Sequence, residues 1–237
     1  MKTIELSTVG EAPNSGHLTT WGDLHLAEPW VSVIHALAPE SVPTDTQVKA
    51  IRDGGLISSR RNLLVSGPTN SGKSLLAYLA LLRGVLNGGR VLLLEPLRAI
   101  AQEKLEELKS LTTSLENLLG RKVEVTITTG DYRLNEESMQ SPPPEVGEIV
   151  IATPERIEAI LRNPDFDGWI SSFQVVCVDE AHLVSDSHRG AALEYVIASF
   201  RSLSAPPRMV LLSATLGDLT PLVKWLDPCD AVLSLVR

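Results

Sequence analysis

A glycine-rich loop between a strand-like run and a leucine-rich helix constrains this chain more than any other feature. The apolar run 62–66 leads into residues 67–74, GPTNSGKS, which fit the pattern GxxxxGK[ST]. The glycines allow backbone N–H groups to turn inward, and the following helix adds positive potential at its N-terminus. The loop therefore predicts a phosphate site rather than a turn that merely caps a helix.

The residues of this loop have expected roles in holding a nucleoside triphosphate and its metal ion. Lys73 is expected to reach the β- and γ-phosphates, and the Ser74 hydroxyl is suited to Mg²⁺. Backbone groups along the whole loop are expected to surround the phosphates. The cofactor-binding candidates here are Gly67, Pro68, Thr69, Asn70, Ser71, Gly72, Lys73 and Ser74.

An acidic pair about a hundred residues later would supply the other groups that a triphosphate needs. Asp179 and Glu180 follow a strand-like apolar run, and α/β sheets place ligands at such strand ends. Asp179 is the expected second Mg²⁺ ligand and Glu180 the expected general base, so that Lys73, Asp179 and Glu180 are the catalytic candidates. A solvated helix cap is the alternative, but the loop upstream favours the catalytic interpretation.

Short apolar runs alternate with segments of helical periodicity from residue 62 onward, which is typical of a parallel sheet with crossover helices. We therefore expect an α/β fold with a mostly parallel sheet and helices on both faces. The predicted strands are 62–66, 91–95, 123–128, 148–152, 174–179, 209–214 and 231–236.

Two segments of the chain carry more specific expectations. The stretch 98–111 predicts a helix that buries Leu105 and Leu108 and leaves its charged residues, Lys104 and Glu107 among them, in water. The stretch 135–147 contains three successive prolines and predicts an exposed excursion. Residues 1–40, rich in turn formers, are expected to form an extension or linker before one domain over 41–237.

Charge and cysteine content narrow the class of protein. The 237 residues contain 29 acidic and 21 basic residues, a formal net charge of −8, so any site for a polyanion must be local. The presence of only two cysteines argues against a disulfide framework. The longest apolar stretch, 75–82, is too short to span a bilayer. We therefore expect no membrane partner, and a cytoplasmic location, or a nuclear one if the source has a nucleus.

Several further strings give the chain a resemblance to a known family. They are DEAH at 179–182, SAT at 213–215, EPLRAIA at 95–101, TGDY at 129–132 and ATPER at 152–156. With the loop at 67–74, they resemble the first RecA-like domain of a superfamily 2 DExH-box helicase of the Ski-two-like subgroup. That subgroup includes archaeal fork-repair and RNA-surveillance helicases.

The resemblance implies further site residues. Gln47 would contact the adenine edge, which makes ATP the expected nucleotide and Mg²⁺ its metal. The alternatives to these roles are a surface position for Gln47, a surface charge at a helix start for Arg98 and a polar strand end for 213–215. The backbone of a single strand would be contacted by Arg98, Thr129, Gly130, Thr153 and Pro154, and nucleotide state would be coupled to that contact by His182, Ser213 and Thr215.

The same resemblance implies an ATP-dependent helicase that translocates 3′ to 5′ on a single strand, with DNA repair favoured over RNA. These residues leave no room for a second RecA-like domain, so we expect the chain alone to bind ATP and Mg²⁺, hydrolyse ATP weakly and not unwind duplex. An ATP-gated binding module without motor activity and an RNA helicase on the same scaffold are the alternatives.

Overall fold

A computed structural model describes residues 20–39, 41–68, 70–129, 146–187, 189–214, 220–226 and 233–236. In these residues one sheet contains seven strands: β1 (Asn62–Ser66), β2 (Arg90–Leu94), β3 (Lys122–Thr128), β4 (Val146–Ala152), β5 (Phe173–Val178), β6 (Arg208–Ser213) and β7 (Leu233–Val236). Their order is β3-β4-β2-β5-β6-β1-β7, and every neighbouring pair is parallel.

Helices cover both faces of this sheet. The described helices are α1 (Trp30–Leu37), α2 (Asp45–Arg52), α3 (Lys73–Leu86), α4 (Arg98–Leu119), α5 (Pro154–Leu161), α6 (Asp167–Ser171), α7 (Gly190–Arg201) and α8 (Thr220–Leu226). The first four contribute to the core on one face, and the last four to the core on the other. This arrangement confirms the predicted α/β fold with helices on both faces.

The central strands are apolar throughout because each is covered twice. All five residues of β2 are buried. Val91 and Leu93 belong to the core beneath α3 and α4, whereas Leu92 and Leu94 belong to the core beneath α5 and α7. Continuous apolar runs of this kind are typical of parallel sheets buried on both sides, which is why the strands could be predicted to within two residues.

Helix α4 is longer than the predicted helix 98–111. It continues for 22 residues because Leu115 and Leu119 extend its buried face, and it ends at Gly120, which takes the left-handed conformation at φ 63°. The expectation that Lys104 lies in water was wrong. Its side chain is 16% exposed and turns toward Tyr78 on α3.

The described N-terminal residues also contribute to the core. Helix α1 buries Val33 and Ile34 in the same core as α3 and α4, so the division between an extension over 1–40 and a domain over 41–237 stays a prediction. Most of the predicted excursion 135–147 lies outside the described residues, and β4 includes its last two. Among the described helices, none combines the length and apolar character needed to cross a bilayer.

A buried ion pair joins β2 to β4 at the edge opposite the candidate site. Arg90 Nε donates to Glu148 Oε2 at 2.6 Å, and the two side chains are 1% and 9% exposed. The Arg90 guanidinium also donates to Ser172 Oγ at 2.8 Å and lies 5.6 Å from the centre of the Trp169 ring. The pair therefore fixes the register of two strands and the position of α6.

We expect Arg90→Met to lower the free energy of unfolding by about 3–5 kcal/mol, because it leaves the Glu148 carboxylate buried without its cation. Urea titration would measure the loss. Arg162→Met, which removes the exposed Arg162–Glu158 pair, should cost about 0–1 kcal/mol. Equal costs for the two variants would contradict the assigned role of the buried pair.

Candidate nucleotide site and nucleic-acid interface

The glycine-rich loop lies between β1 and α3, as predicted. Gly72 precedes the helix with φ at 79°, a conformation that L side chains rarely adopt. Lys73 is the first residue of α3, and its ammonium donates to the carbonyl oxygens of Gly67 at 2.8 Å and Pro68 at 2.7 Å. The ammonium therefore lies across the loop, held by groups that a bound phosphate oxygen could replace.

The first turn of α2 braces this loop from the side. Thr44 Oγ1 donates to the Ser71 carbonyl at 2.7 Å, and Gln47 Nε2 donates to the Gly72 carbonyl at 3.1 Å. Gln47 Oε1 accepts from the Thr44 N–H at 2.9 Å. A Cβ on Gly72 would lie 2.0 Å from Gln47 Nε2, so this close approach requires glycine.

These contacts give Gln47 a structural role that sequence analysis missed. The residue is 5% exposed, and its amide commits one acceptor and one donor to the protein. Within the described part of the chain, one lone pair and one N–H of this amide remain for a ligand. Contact between Gln47 and the adenine edge stays a prediction.

The acidic pair follows β5 at the same edge of the sheet. The Asp179 N–H donates to the Leu94 carbonyl at 3.0 Å, so the sheet ladder extends to this residue. Glu180 adopts the left-handed conformation at φ 50°, which costs a non-glycine residue about 1–2 kcal/mol. Its N–H donates to Asp179 Oδ1 at 2.9 Å. The backbone therefore turns at Glu180, and the Asp179 carboxylate accepts a hydrogen bond at this turn.

His182 lies close to Glu180. Its Nδ1 is 3.2 Å from Glu180 Oε2, and the two atoms are buried without hydrogen-bond geometry to each other or to another described group. Of the other predicted coupling residues, Ser213 is buried at the end of β6, and its carbonyl accepts from the Gly67 N–H at 3.1 Å. Thr215 lies outside the described residues. The coupling roles stay predictions, although Ser213 does contact the loop directly.

Ser74 and Asp179 supply a hydroxyl and a carboxylate, which are oxygen donors of the kind that Mg²⁺ prefers. In the described part of the chain, no group of three His, Cys, Asp or Glu side chains is close enough to hold a metal. Mg²⁺ generally keeps waters and binds through one or two protein groups plus substrate phosphates. The residues present therefore fit a Mg²⁺ ion that arrives with a nucleotide.

A further carboxyl group at this edge, that of Glu95, lies beside Asp179. Glu95 was not predicted as a site residue. The two residues follow Leu94 and Val178, which are register partners on neighbouring strands. Glu95 is 2% exposed. Burial, together with the negative charge of Asp179, raises the pKa of Glu95 to about 8, against the opposing effect of the Lys104 ammonium.

A cavity of about 340 Å³ extends outward from the loop along α3. Gln47 and Ser74 line it, and among the described residues Glu107 is the one charged residue of its lining. Burial raises the pKa of Glu107, but hydrogen bonds from Tyr78 and Lys104 together outweigh burial and lower the pKa overall. The cavity places polar groups beside a space next to the phosphate loop. The other lining residues are Leu37, Ala38, Ser41, Val42, Thr44, Leu75, Tyr78 and Leu111.

A larger groove of about 470 Å³ lies at the same sheet edge, beyond β2 and β4. Arg98 and Thr153, both predicted to contact a nucleic-acid strand, line it. Thr129 and Pro154 are buried and are not among its lining residues, and Gly130 lies outside the described residues. The full lining is Pro96, Leu97, Arg98, Thr153, Glu155, Arg156, Ala159 and Arg189.

Two arginines of this groove were missed as contact candidates. Arg156 lies near the start of α5, with its Nε donating to Thr128 Oγ1 at 3.1 Å, and Arg189 directly precedes α7. Their positions within ATPER and before Gly190 were visible in the sequence, but the sequence does not show that α5 and α7 begin side by side. Three guanidinium groups along one groove suit the repeated phosphates of a nucleic-acid backbone.

Comparison with known proteins identifies the family. A family model described as DEAD/DEAH box helicase matches residues 44–221, which is most of the chain. The chain belongs to the DEAD/DEAH box helicase family. The match includes the glycine-rich loop, the acidic pair and the residues that line the groove.

Curated relatives confirm the resemblance to the Ski-two-like subgroup. The ATP-dependent DNA helicase Hel308 of Methanocella arvoryzae is 36% identical over 189 residues, and that of Pyrococcus horikoshii is 35% identical over 182. The alignments cover 80% and 76% of this chain but 24% and 23% of those helicases. The chain therefore spans about a quarter of the length of these relatives.

Solved helicase structures share the fold. The helicase Lhr of Mycobacterium smegmatis, bound to single-stranded DNA and AMP-PNP, matches with a TM-score of 0.69 and 27% identity, over 90% of this chain and 28% of that one. The DUF1998 helicase MrfA matches with a TM-score of 0.62 and 20% identity, over 87% of this chain and 32% of that one, which supports the fold alone.

We expect the stability of this helicase domain to fall as pH rises through the titration of Glu95. The folded pKa of about 8 exceeds the ordinary value of 4.5. The contribution of the protonated Glu95 carboxyl group to the free energy of unfolding is therefore complete below pH 4.5 and is lost as pH approaches 8. Glu95→Gln should remove on the order of a few kcal/mol of this dependence. The free energy of urea unfolding would be measured from pH 5 to 8.5 without metal or nucleotide.

Glu124→Gln, a change at a well-exposed strand position, is the matched control and should keep the wild-type dependence. An identical pH profile for wild type and Glu95→Gln would show that the buried carboxyl group does not titrate in this range.

Proposed function

We propose that this domain is the first RecA-like half of an ATP-dependent DNA helicase, which binds ATP·Mg²⁺ and the backbone of a single strand. One observation carries the proposal: the phosphate loop, the acidic pair and the arginine-lined groove lie along one edge of the sheet. The names of the Hel308 relatives favour DNA as the substrate. Translocation from 3′ to 5′ is carried over from the family resemblance.

Each group at the nucleotide site has a specific task in this proposal. Lys73 would exchange its two loop carbonyls for phosphate oxygens and neutralise their charge. Ser74 and Asp179 would hold Mg²⁺, which shields the charge of the phosphates when bound. Glu180 would accept a proton from the attacking water, because it directly follows the expected metal ligand Asp179 at the same edge of the sheet.

The groove would hold the sugar-phosphate backbone without reading sequence. Arg98, Arg156 and Arg189 present charged donors to phosphates, and Thr153 lies among them. This local cluster allows the chain to bind a nucleic-acid backbone although its net charge is −8. Thr129, Gly130 and Pro154 stay predicted contacts by resemblance alone.

The proposed motor also requires a second RecA-like domain. In related NTPases an arginine supplied from outside the phosphate loop is worth about 10³ or more in rate. We therefore expect these 237 residues by themselves to bind nucleotide, hydrolyse it weakly and leave duplex intact. Robust unwinding by this chain alone would contradict that expectation.

Lys73→Ala should weaken binding of a fluorescent ATP analogue with Mg²⁺ by about 10- to 100-fold, since a charged hydrogen-bonding group is worth about 1.5–3 kcal/mol. Fluorescence anisotropy would measure the dissociation constants. Lys122→Ala removes a well-exposed lysine on β3 and should leave the affinity unchanged. Equal affinities for wild type and Lys73→Ala would exclude this loop as the nucleotide site.

Single-stranded DNA should stimulate ATP hydrolysis by the full-length protein more strongly than RNA of the same sequence. Arg98→Met should raise the DNA concentration needed for half-maximal stimulation, whereas Arg162→Met, a change outside the groove, should not. Stronger stimulation by RNA would favour an RNA helicase. Nucleotide binding without stimulation by either would favour an ATP-gated binding module.

A further inference from the structure

A polar cluster joins the two helices that begin at the nucleotide site and at the groove. The Lys104 ammonium on α4 donates to Tyr78 Oη on α3 at 2.7 Å and to Glu107 Oε2 at 3.0 Å. It also lies 5.0 Å from the centre of the Tyr78 ring, within the range of a cation–π contact. One ammonium therefore makes three polar contacts, two of them across the gap between the helices.

The position of this contact relates it to both sites. Tyr78 lies one turn after Ser74 on α3, and the N-terminus of that helix carries the phosphate loop. Helix α4 begins with Arg98, which lines the groove. A displacement of α3 relative to α4 would therefore be transmitted through Lys104 to the groove.

The electrostatic environment of Lys104 would change when a nucleotide binds. Among the described residues, the charges that act most strongly on the buried Glu95 are those of Asp179, Lys104, Glu180 and Glu107, and the Lys104 charge opposes the other three. The Lys104 side chain is 16% exposed, so solvent screens it incompletely. A Mg²⁺ ion held by Ser74 and Asp179, together with the phosphates that accompany it, would change the charge beside these carboxylates and therefore the field at the ammonium.

We propose that Lys104 is a positioning residue that couples nucleotide binding at α3 to strand binding at α4. The proposal rests on the proposed function, because it requires both ligands. Lys104 is held toward Tyr78 and Glu107. When Mg²⁺ and a nucleotide bind at Ser74 and Asp179, the electrostatic field at the ammonium changes, this hold changes with it, and α4 adjusts Arg98 relative to the groove.

Coupling between the nucleotide site and the groove can be measured as a change in affinity for the strand. The affinity of the full-length protein for a labelled oligo-dT strand is determined with and without a saturating non-hydrolysable ATP analogue and Mg²⁺. The ratio of the two dissociation constants gives the coupling, and ratios of about 5 to 150 are typical of coupled sites. A purely structural ion pair would alter stability without altering this ratio.

Lys104→Met keeps the apolar stem and removes the charge, and we expect it to bring the ratio close to 1. Lys104→Arg should restore most of the wild-type ratio. Lys109→Met, at an exposed position on the same helix, should retain it fully. Tyr78→Phe removes the oxygen that accepts from Lys104 and should also lower the ratio, which provides a test if Lys104→Met does not fold.

A wild-type ratio near 1, or an unchanged ratio in both Lys104→Met and Tyr78→Phe, would overturn the coupling role. A ratio in Lys109→Met as close to 1 as that in Lys104→Met would also overturn it. These outcomes differ from failure of the proposed function, in which the wild-type protein would not bind the nucleotide analogue or the strand at all.

Discussion

Parallel pairing of the described strands is the constraint on which the rest of the structure depends. Because every described strand runs in the same direction, all their carboxyl ends lie at one edge, and the helices that follow β1, β2 and β4 begin there. The loop after β1, the acidic pair after β5 and the arginines after β2 and β4 meet at this edge, although more than a hundred residues separate the loop from the acidic pair. Helix N-termini at the same edge add positive potential for phosphate groups.

Bracing by neighbouring elements fixes the groups at this edge. The phosphate loop is hydrogen-bonded to α2 through Thr44 and Gln47 and to β6 through the Ser213 carbonyl. The two carboxylates of the acidic pair are separated by the left-handed turn at Glu180. Buried polar groups that are satisfied in this way hold one geometry, since every alternative leaves a donor or acceptor unpaired.

Much of this arrangement could be predicted from the sequence, for reasons that differ between elements. Apolar runs such as Val91–Leu94 define strands because both faces of the sheet are covered. The glycine-rich loop and DEAH are contiguous strings, so their residues and order are visible directly. Helix α1 was missed because the prolines and glycines around it suggested a linker, whereas two of its side chains complete the core over α3.

Contacts between distant segments could not be predicted, because periodicity specifies a face and not its neighbour. Lys104 belongs to the polar pattern of α4, yet it turns inward because the Tyr78 oxygen lies within its reach, beside the Glu107 carboxylate. The Arg98–Arg156–Arg189 groove exists because three loops end at one edge. The sequence by itself determined the α/β class, the phosphate loop and the acidic pair, all of which depend on local patterns. Only the tertiary structure decided which distant charges face one another, because electrostatic and hydrogen-bonding partners depend on distance in space.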